Sequence, residues 1–318
     1  MAGTANIAAA SPHPHRRLEM TPSRREAAWG YAFIGLWLIG FVIFTAGPLI
    51  ASFIISLTSY DLGHPETWTF VGLDNYRLAL SDPNVRQGLL VTLKFGLISI
   101  PLTMGASLGV ALLVNHRNLS GRPLFRTLFF MPIQIPLVAG TLVWLGFLNT
   151  NTGWLNAFLG MFGISGPDWI NSDPWILASL SLIGLWAIGN FMIINIAGLQ
   201  SVPTELYEAV RIDGASRWQA FRRITIPLMS PVLLYDLVIS LIGASQYFTQ
   251  AYVLSNGRGD PNNATLFINL DLYREAFSYN HMGYASAIAW ILFAIVLVLA
   301  LLIFAYARNR VYYAGGDR

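Results

Sequence analysis

SVPTELYEAVRIDGASRWQAFRRITIPLMSP, residues 201–231, is a polar, charged interval between two long apolar runs, and it carries the start and stop signals of two short helices. Pro203 suits a first helical turn, where its missing N–H costs nothing. Glu205 and Glu208 fall near the positive N-terminal end of that helix, and Gly214 offers the left-handed stop. Ser216 can cap a second helix carrying Trp218, Phe221, Arg222 and Arg223, before Pro227 opens the next apolar run. At helical spacing Leu206, Ala209, Val210 and Asp213 share one face, with Glu208, Arg211 and Ile212 around its edge. Two helices in an otherwise short connection form a shape that can seat in a partner's groove.

On either side of this interval lie stretches of the length that crosses a bilayer. They fall near 29–57, 88–114, 127–149, 174–199, 228–250 and 284–307, which predicts six transmembrane helices in an all-α membrane protein. An even count places both termini on one side, and arginine decides which. The residues before the first run, the loops 116–126 and 200–227, and the C-terminus hold 14 of the 19 Lys and Arg, so both termini are expected to be cytoplasmic. Residues 1–28, rich in Ala, Ser, Pro, His and Arg, are expected to be a disordered cytoplasmic tail. A transmembrane domain then spans 29–310, and a second cytoplasmic tail 311–318. The run 29–57 is too long for the apolar core of a signal peptide and is expected to be an uncleaved first span.

Composition removes several classes of function. Hydrophobic residues make up 55% of the chain and charged residues 11%, which suits lipid as solvent. The arginines sit in short clusters between apolar runs, without the continuous face that nucleic acid requires. Cysteine is absent, which excludes disulfides, thiolate metal sites and a cysteine nucleophile. Histidines 13, 15, 64, 116 and 281 have no metal-ligand spacing, and no metal site is expected. The sole lysine, Lys94, lies outside any Gly-x-x-x-x-Gly-Lys-Ser/Thr loop, so this chain is not expected to hydrolyse ATP; nor is any serine set in Gly-x-Ser-x-Gly. The chain is expected to be no enzyme and to bind no cofactor.

Polar and aromatic residues inside the fourth and fifth runs could line a path for a hydroxylated solute. These are Trp186, Asn190 and Asn195, then Ser240, Ser245, Gln246 and Tyr247. Stripped hydroxyls need hydrogen-bond partners, and sugar rings have apolar faces that suit aromatic side chains. The same residues could equally join helices to one another. Asp236 is the one acid well inside a run, and an intramembrane acid is a functional candidate. Its position near the cytoplasmic end, within reach of water or Arg222, favours a structural or interface role.

The interval 201–231 resembles the coupling loop of the membrane subunits of bacterial ABC importers. That family's signature is Glu-Ala-Ala, three residues, Gly, nine residues, Ile, one residue, Leu-Pro. Here the sequence has Glu208-Ala209-Val210, Gly214, Ile224 and Ile226-Pro227, with only Val210 and Ile226 departing. FVGLDNYRLAL (70–80) and LSNGRGDPNNAT (254–265) are similar to the sugar-importing, maltose and glycerol-phosphate branch, although Ser255, Arg258 and Asp260 depart from its Thr-x-Gly-Gly-Pro pattern. The resemblance implies an ABC type I importer permease fold in a bacterial inner membrane. It further implies a helix over 203–214 coupled to an ATP-hydrolysing subunit through Glu208, Ala209, Asp213, Gly214, Ile224 and Pro227. Implied partners are a second homologous permease subunit, two ATPase subunits holding ATP and Mg, an extracytoplasmic solute-binding protein, and a disaccharide or oligosaccharide as cargo. Aligned on the coupling signature, Asn190, Ser240, Gly243, Ala244 and Tyr247 fall where maltose-type relatives contact sugar, Gly243 and Ala244 replacing larger groups. Either the pocket is reshaped for another ligand or the partner permease does the binding. The competing class is an ion- or proton-coupled secondary transporter, which calls for several ionisable residues at mid-membrane and for inverted repeats.

Overall fold

A computed structural model describes residues 22–116, 118–308 and 310–312. The chain divides into two compact units, Met1–Ser52 and Phe53–Arg318. The first holds α1 (Pro22–Phe41) and a π turn at Val42–Ala46, after which α2 (Gly47–Ser56) follows. Residues 22–28, expected in the tail, are helical, because Pro22 starts α1 where its fixed φ suits a first turn. Residues 1–21 of that expected tail, and 313–318 of the C-terminal one, lie outside the described residues.

In the second unit α3 (Asp74–Ser81) leads into α4 (Pro83–Asn115), which starts ahead of its apolar run because Asp82 caps it and Pro83 fills its first turn. There follow α5 (Arg122–Phe130), α6 (Leu137–Phe147), α7 (Trp154–Gly160), α8 (Asp173–Trp186) and α9 (Gly189–Ser201). The predicted interval holds α10 (Thr204–Ile212) and α11 (Arg217–Ala220). A π turn and α12 (Ile226–Leu228) then lead to α13 (Ser230–Ser245), α14 (Thr249–Ser255), α15 (Ile268–Tyr273) and α16 (Met282–Ala307). No β-strand occurs among the described residues; Thr58 and Phe70 form one isolated bridge.

Among the described residues, four stretches are each long and apolar enough to cross a membrane: Trp29–Ser56, Pro83–Asn115, Ser230–Ser255 and Met282–Ala307. The expected third and fourth runs are each broken. Arg122–Gln134 meets Leu137–Phe147 at 102°, and Asp173–Trp186 meets Gly189–Ser201 at 57°, so the count reaches six when each bent pair is one span. Pro132 and Pro136 account for the first break, since neither can donate to a helical ladder. The second has no proline and is set by packing. A Cβ on Gly189 would stand 2.7 Å from the Phe129 carbonyl oxygen, and one on Gly140 would stand 3.2 Å from the Trp186 ring. Each break thus seats a glycine against the other broken run.

Proline shapes two π turns as well. Val42–Ala46 precedes Pro48 and Phe221–Thr225 precedes Pro227, with Gly47 N–H reaching the Val42 carbonyl and Ile226 N–H the Phe221 carbonyl. Widening the helix by one residue relieves the clash of each ring with the preceding turn. Apolar packing gathers in three places: around Phe95, Tyr247 and Phe267; around Met192, Ile196 and Met229; and where Val85, Ile268, Tyr284 and Ile288 meet.

Candidate functional site

α10 ends in a fully formed left-handed cap. Gly214 has φ +77, its N–H reaches the Arg211 carbonyl at 3.2 Å, and the Ala215 N–H reaches the Val210 carbonyl at 2.9 Å. These are the paired bonds of a Schellman motif, which satisfy the carbonyls left over by the last turn. Two residues later Ser216 opens the next helix with a capping box: Gln219 N–H donates to Ser216 Oγ at 3.3 Å and Ser216 N–H donates to Gln219 Oε1 at 2.7 Å. Only Ala215 separates the two caps, so the angle between α10 and α11 is fixed locally.

The residue that fastens α10 to the bundle is one the sequence did not single out. Tyr207 packs with Ile224 against the Met192–Met229 cluster, and its hydroxyl lies 2.9 Å from Thr225 Oγ1. Val210 is half-buried beside it, while Leu206, Glu208, Ala209, Arg211, Ile212 and Asp213 are exposed. Ile212 is 87% exposed and Trp218 67%. Val210, Asp213, Gly214, Gln219, Arg223 and Ile224 line a cavity of about 280 Å³ between the two helices. Within this segment the structure brings Asp213, Gly214 and Ile224 together at that cavity, and leaves Glu208 and Ala209 on the open face of α10. Pro227 lies within a helix that runs on from the capping box, not at its beginning. The π turn, α12 and a single turn residue at Met229 join α11 to α13.

The residues expected along a solute path do not share one surface. Tyr247 is buried, packed on Phe95 at 4.3 Å and Phe267 at 4.9 Å between ring centroids. Ser240 is half-buried. Gly243 and Gln246 are exposed, and a Cβ on Gly243 would meet open space. Gln246 also lines a separate cavity with Ser245, Asn269 and α16. Trp186 and Asn190 flank the break between α8 and α9; Trp186 stacks edge-on to Trp144, while Asn190 is exposed.

Asn195 and Asp236 belong to neither surface. Asn195 Nδ2 donates to Asp236 Oδ2 at 2.7 Å and to Ser107 Oγ at 3.3 Å, and all three side chains are buried. Asp236 is therefore served by α9 alone, and Asn195 in turn joins α4 through Ser107. Arg222, suggested by sequence, is exposed in the loop. The motif at 70–80 is also structural in these contacts. Asn75 Nδ2 donates to the Ser56 and Thr58 carbonyls, and the Tyr76 hydroxyl lies 2.6 Å from Ser56 Oγ.

A family model described as binding-protein-dependent transport system inner membrane component matches residues 102–311. The chain is 38% identical over 293 residues to the probable ABC transporter permease protein YesP of Bacillus subtilis, covering 91% of this chain and 94% of that one. It is 33% identical to the arabinooligosaccharides transport system permease protein AraP of Bacillus subtilis, covering 86% of each. It is also 33% identical to the trehalose/maltose transport system permease protein MalF of Thermococcus litoralis, covering 90% of this chain and 96% of that one. In fold it is similar to a chain of a bacterial alginate ABC transporter crystallised with an alginate pentasaccharide-bound periplasmic protein. That match has a TM-score of 0.78 at 22% identity, over 90% of this chain and 96% of the other.

Proposed function

This chain belongs to the family of binding-protein-dependent transport system inner membrane components, the permease subunits of ABC transporters, and from that premise we propose that it carries a disaccharide or oligosaccharide across the bacterial inner membrane by ATP-driven alternating access. Oligosaccharide and disaccharide transport in the names of its relatives supports the cargo. The proposed topology has six spans, each broken pair counting as one, with both termini cytoplasmic on the arginine distribution. A second homologous permease completes the pore, an extracytoplasmic solute-binding protein delivers the sugar, and two ATPase subunits hold ATP and Mg. This chain itself binds no cofactor.

One observation carries the coupling role: α10 is capped at its C-terminus, anchored by Tyr207, and yet exposes Glu208, Ala209 and Ile212. A rigid helix with an unoccupied face transmits force from whatever covers that face, and a cleft of an ATPase subunit is the proposed cover. The path inward is continuous. α11 passes through the π turn into α13, and the buried Asp236–Asn195 bond ties α13 to α9. Dimerisation of the two ATPases, one of them covering α10, would then tilt α13 and α9 together, which is the kind of motion that exchanges inward and outward access. Asn190, Gly243 and Gln246, exposed on these helices, are proposed to face the solute, with Trp186 bordering them at the break. Ser240 and Tyr247 are proposed to support that wall from behind.

Glu208→Lys tests the coupling. Reconstituted with its partners, the variant is expected to insert and assemble but to lose sugar uptake and binding-protein-stimulated ATP hydrolysis. Wild-type uptake in that variant would contradict the proposal.

A further inference from the structure

α15 is wedged between α4 and α16. Its first N–H, that of Ile268, donates to Thr92 Oγ1 of α4 at 3.2 Å, and Gly88 permits the approach, since a Cβ there would stand 3.1 Å from Ile268 Cα. Above this contact a group of ionisable side chains closes the junction. Asp82 Oδ1 caps α4 by accepting from Asn84 N–H at 2.8 Å, and its Oδ2 accepts from the Tyr284 hydroxyl of α16 at 2.7 Å. Glu275 lies 2.9 Å from His281 Nδ1. Asp271, on α15, is only 3% exposed, and its Oδ2 has no hydrogen-bond partner.

A buried carboxylate without a partner is costly unless something else satisfies it. The cation whose charge acts on it, Arg274, does not do so. Arg274 spends its guanidinium on the Arg258 carbonyl at 3.3 Å and the Tyr279 hydroxyl at 2.9 Å. The other charges facing Asp271 are negative: Asp82 from α4, and Glu275 from the turn after α15. Tyr284 faces the group from α16 with its proton engaged by Asp82, and Arg86 of α4 points to solvent. Burial pushes the Asp271 carboxyl up to about 6, with the charges of Glu275 and Asp82 adding to it and Arg274 partly offsetting them.

We propose that Asp271 is a proton-binding site, and that the bound proton holds α15 in the junction of α4 and α16. The proton comes from bulk water and returns to it. With the proton on, the acid is neutral and can remain buried beside Asp82 and Glu275. With the proton off, two like charges and an apolar surround act on an unpaired carboxylate, and α15 loosens. The folded-state value lies above the ordinary 3.8, so this contribution to stability is complete below about pH 3.8 and is lost as pH rises through about 6. On the proposed orientation the site reads extracytoplasmic pH, although the proton's effect on the junction does not depend on orientation.

Hydrogen exchange of residues 262–284 tests this in the complete transporter in lipid nanodiscs, at about pH 5 and about pH 7.5, corrected for intrinsic exchange. In wild type, opening of α15 should rise by about 10-fold between the two, because the opened carboxyl, at the ordinary 3.8, is already ionised at about pH 5 and only the folded-state titration near 6 falls in this window. Asp271→Asn, isosteric and permanently neutral, should show the protected rate at both. His281→Gln should leave the wild-type profile in place. A flat wild-type profile, an unchanged dependence in Asp271→Asn, or its loss in His281→Gln would each overturn the assignment. If Asp271→Asn fails to assemble, Glu275→Gln decides. Removing that negative charge must lower the midpoint, and an unchanged midpoint overturns the proposal.

Discussion

Asn195 on α9 donates to Asp236 on α13 at 2.7 Å, with both side chains withdrawn from solvent and the Asn195 amide also reaching Ser107 on α4. Three helices therefore meet at one polar contact in otherwise apolar surroundings, directly inward from the segment that carries α10. Hydrogen bonds between transmembrane helices contribute about 0.6 kcal/mol on average, but a deletion that strands a buried partner costs more. Asn195→Ala leaves Asp236 without its donor and is expected to cost about 1–3 kcal/mol. Thermal unfolding in detergent measures it. Adding Asp236→Leu to that variant, which removes the stranded carboxylate too, should recover part of the loss.

The crossing of the two broken runs makes a prediction of sign. Gly189→Ala places a methyl 2.7 Å from the Phe129 carbonyl oxygen and 2.8 Å from Phe130 Cα, so backbone has to move. A loss of about 1–3 kcal/mol is expected. Gly184→Ala, five residues earlier and inside α8, meets nothing within 4 Å and should be neutral or stabilising by up to about 1 kcal/mol through helix propensity. Paired melting curves of the two variants check the contrast.

Gly214 separates backbone strain from contact. A Cβ there meets open space, yet φ is +77, so Gly214→Ala carries a cost of about 1–2 kcal/mol from conformation alone. The damage should be confined to the cap. Uptake is expected to fall more than the melting temperature, because α10 loses its fixed angle while the spans stay intact. Equal losses in both would mean that the cap supports the whole fold.

Tyr207→Phe keeps the ring against Met192 and Met229 but removes the hydroxyl that lies 2.9 Å from Thr225 Oγ1. A cost of about 1 kcal/mol is expected. Tyr207→Ala, which also vacates the apolar cluster, should cost about 3–5 kcal/mol. The difference between the two variants, read in chemical denaturation, reports how far α10 is held by packing.

These residues show where sequence was sufficient. The apolar runs were legible because a span needs a long unbroken stretch, and five of the six expected starts fall within about six residues of the helix that contains them. The start and stop of α10 were legible from Pro203 and Gly214, since capping is local. Three features were not. The break at 187–188 has no proline and depends on Gly189 meeting Phe129, sixty residues away. Asp236 pairs with Asn195 across 41 residues, so the nearer Arg222 looked the better partner. Tyr207 reads as one more residue of an amphipathic helix until the Met192–Met229 cluster beneath it is formed.

The most direct test of the coupling role uses the absence of cysteine from the chain. Ile212→Cys creates a single thiol on α10 at a residue 87% exposed, which a short photoreactive maleimide can label in the assembled, transport-competent complex. The expected result is an adduct between this chain and an ATPase subunit, absent when the same label is placed at Trp154, which is also exposed. Complete labelling at residue 212 with no ATPase adduct would contradict the coupling role of this helix.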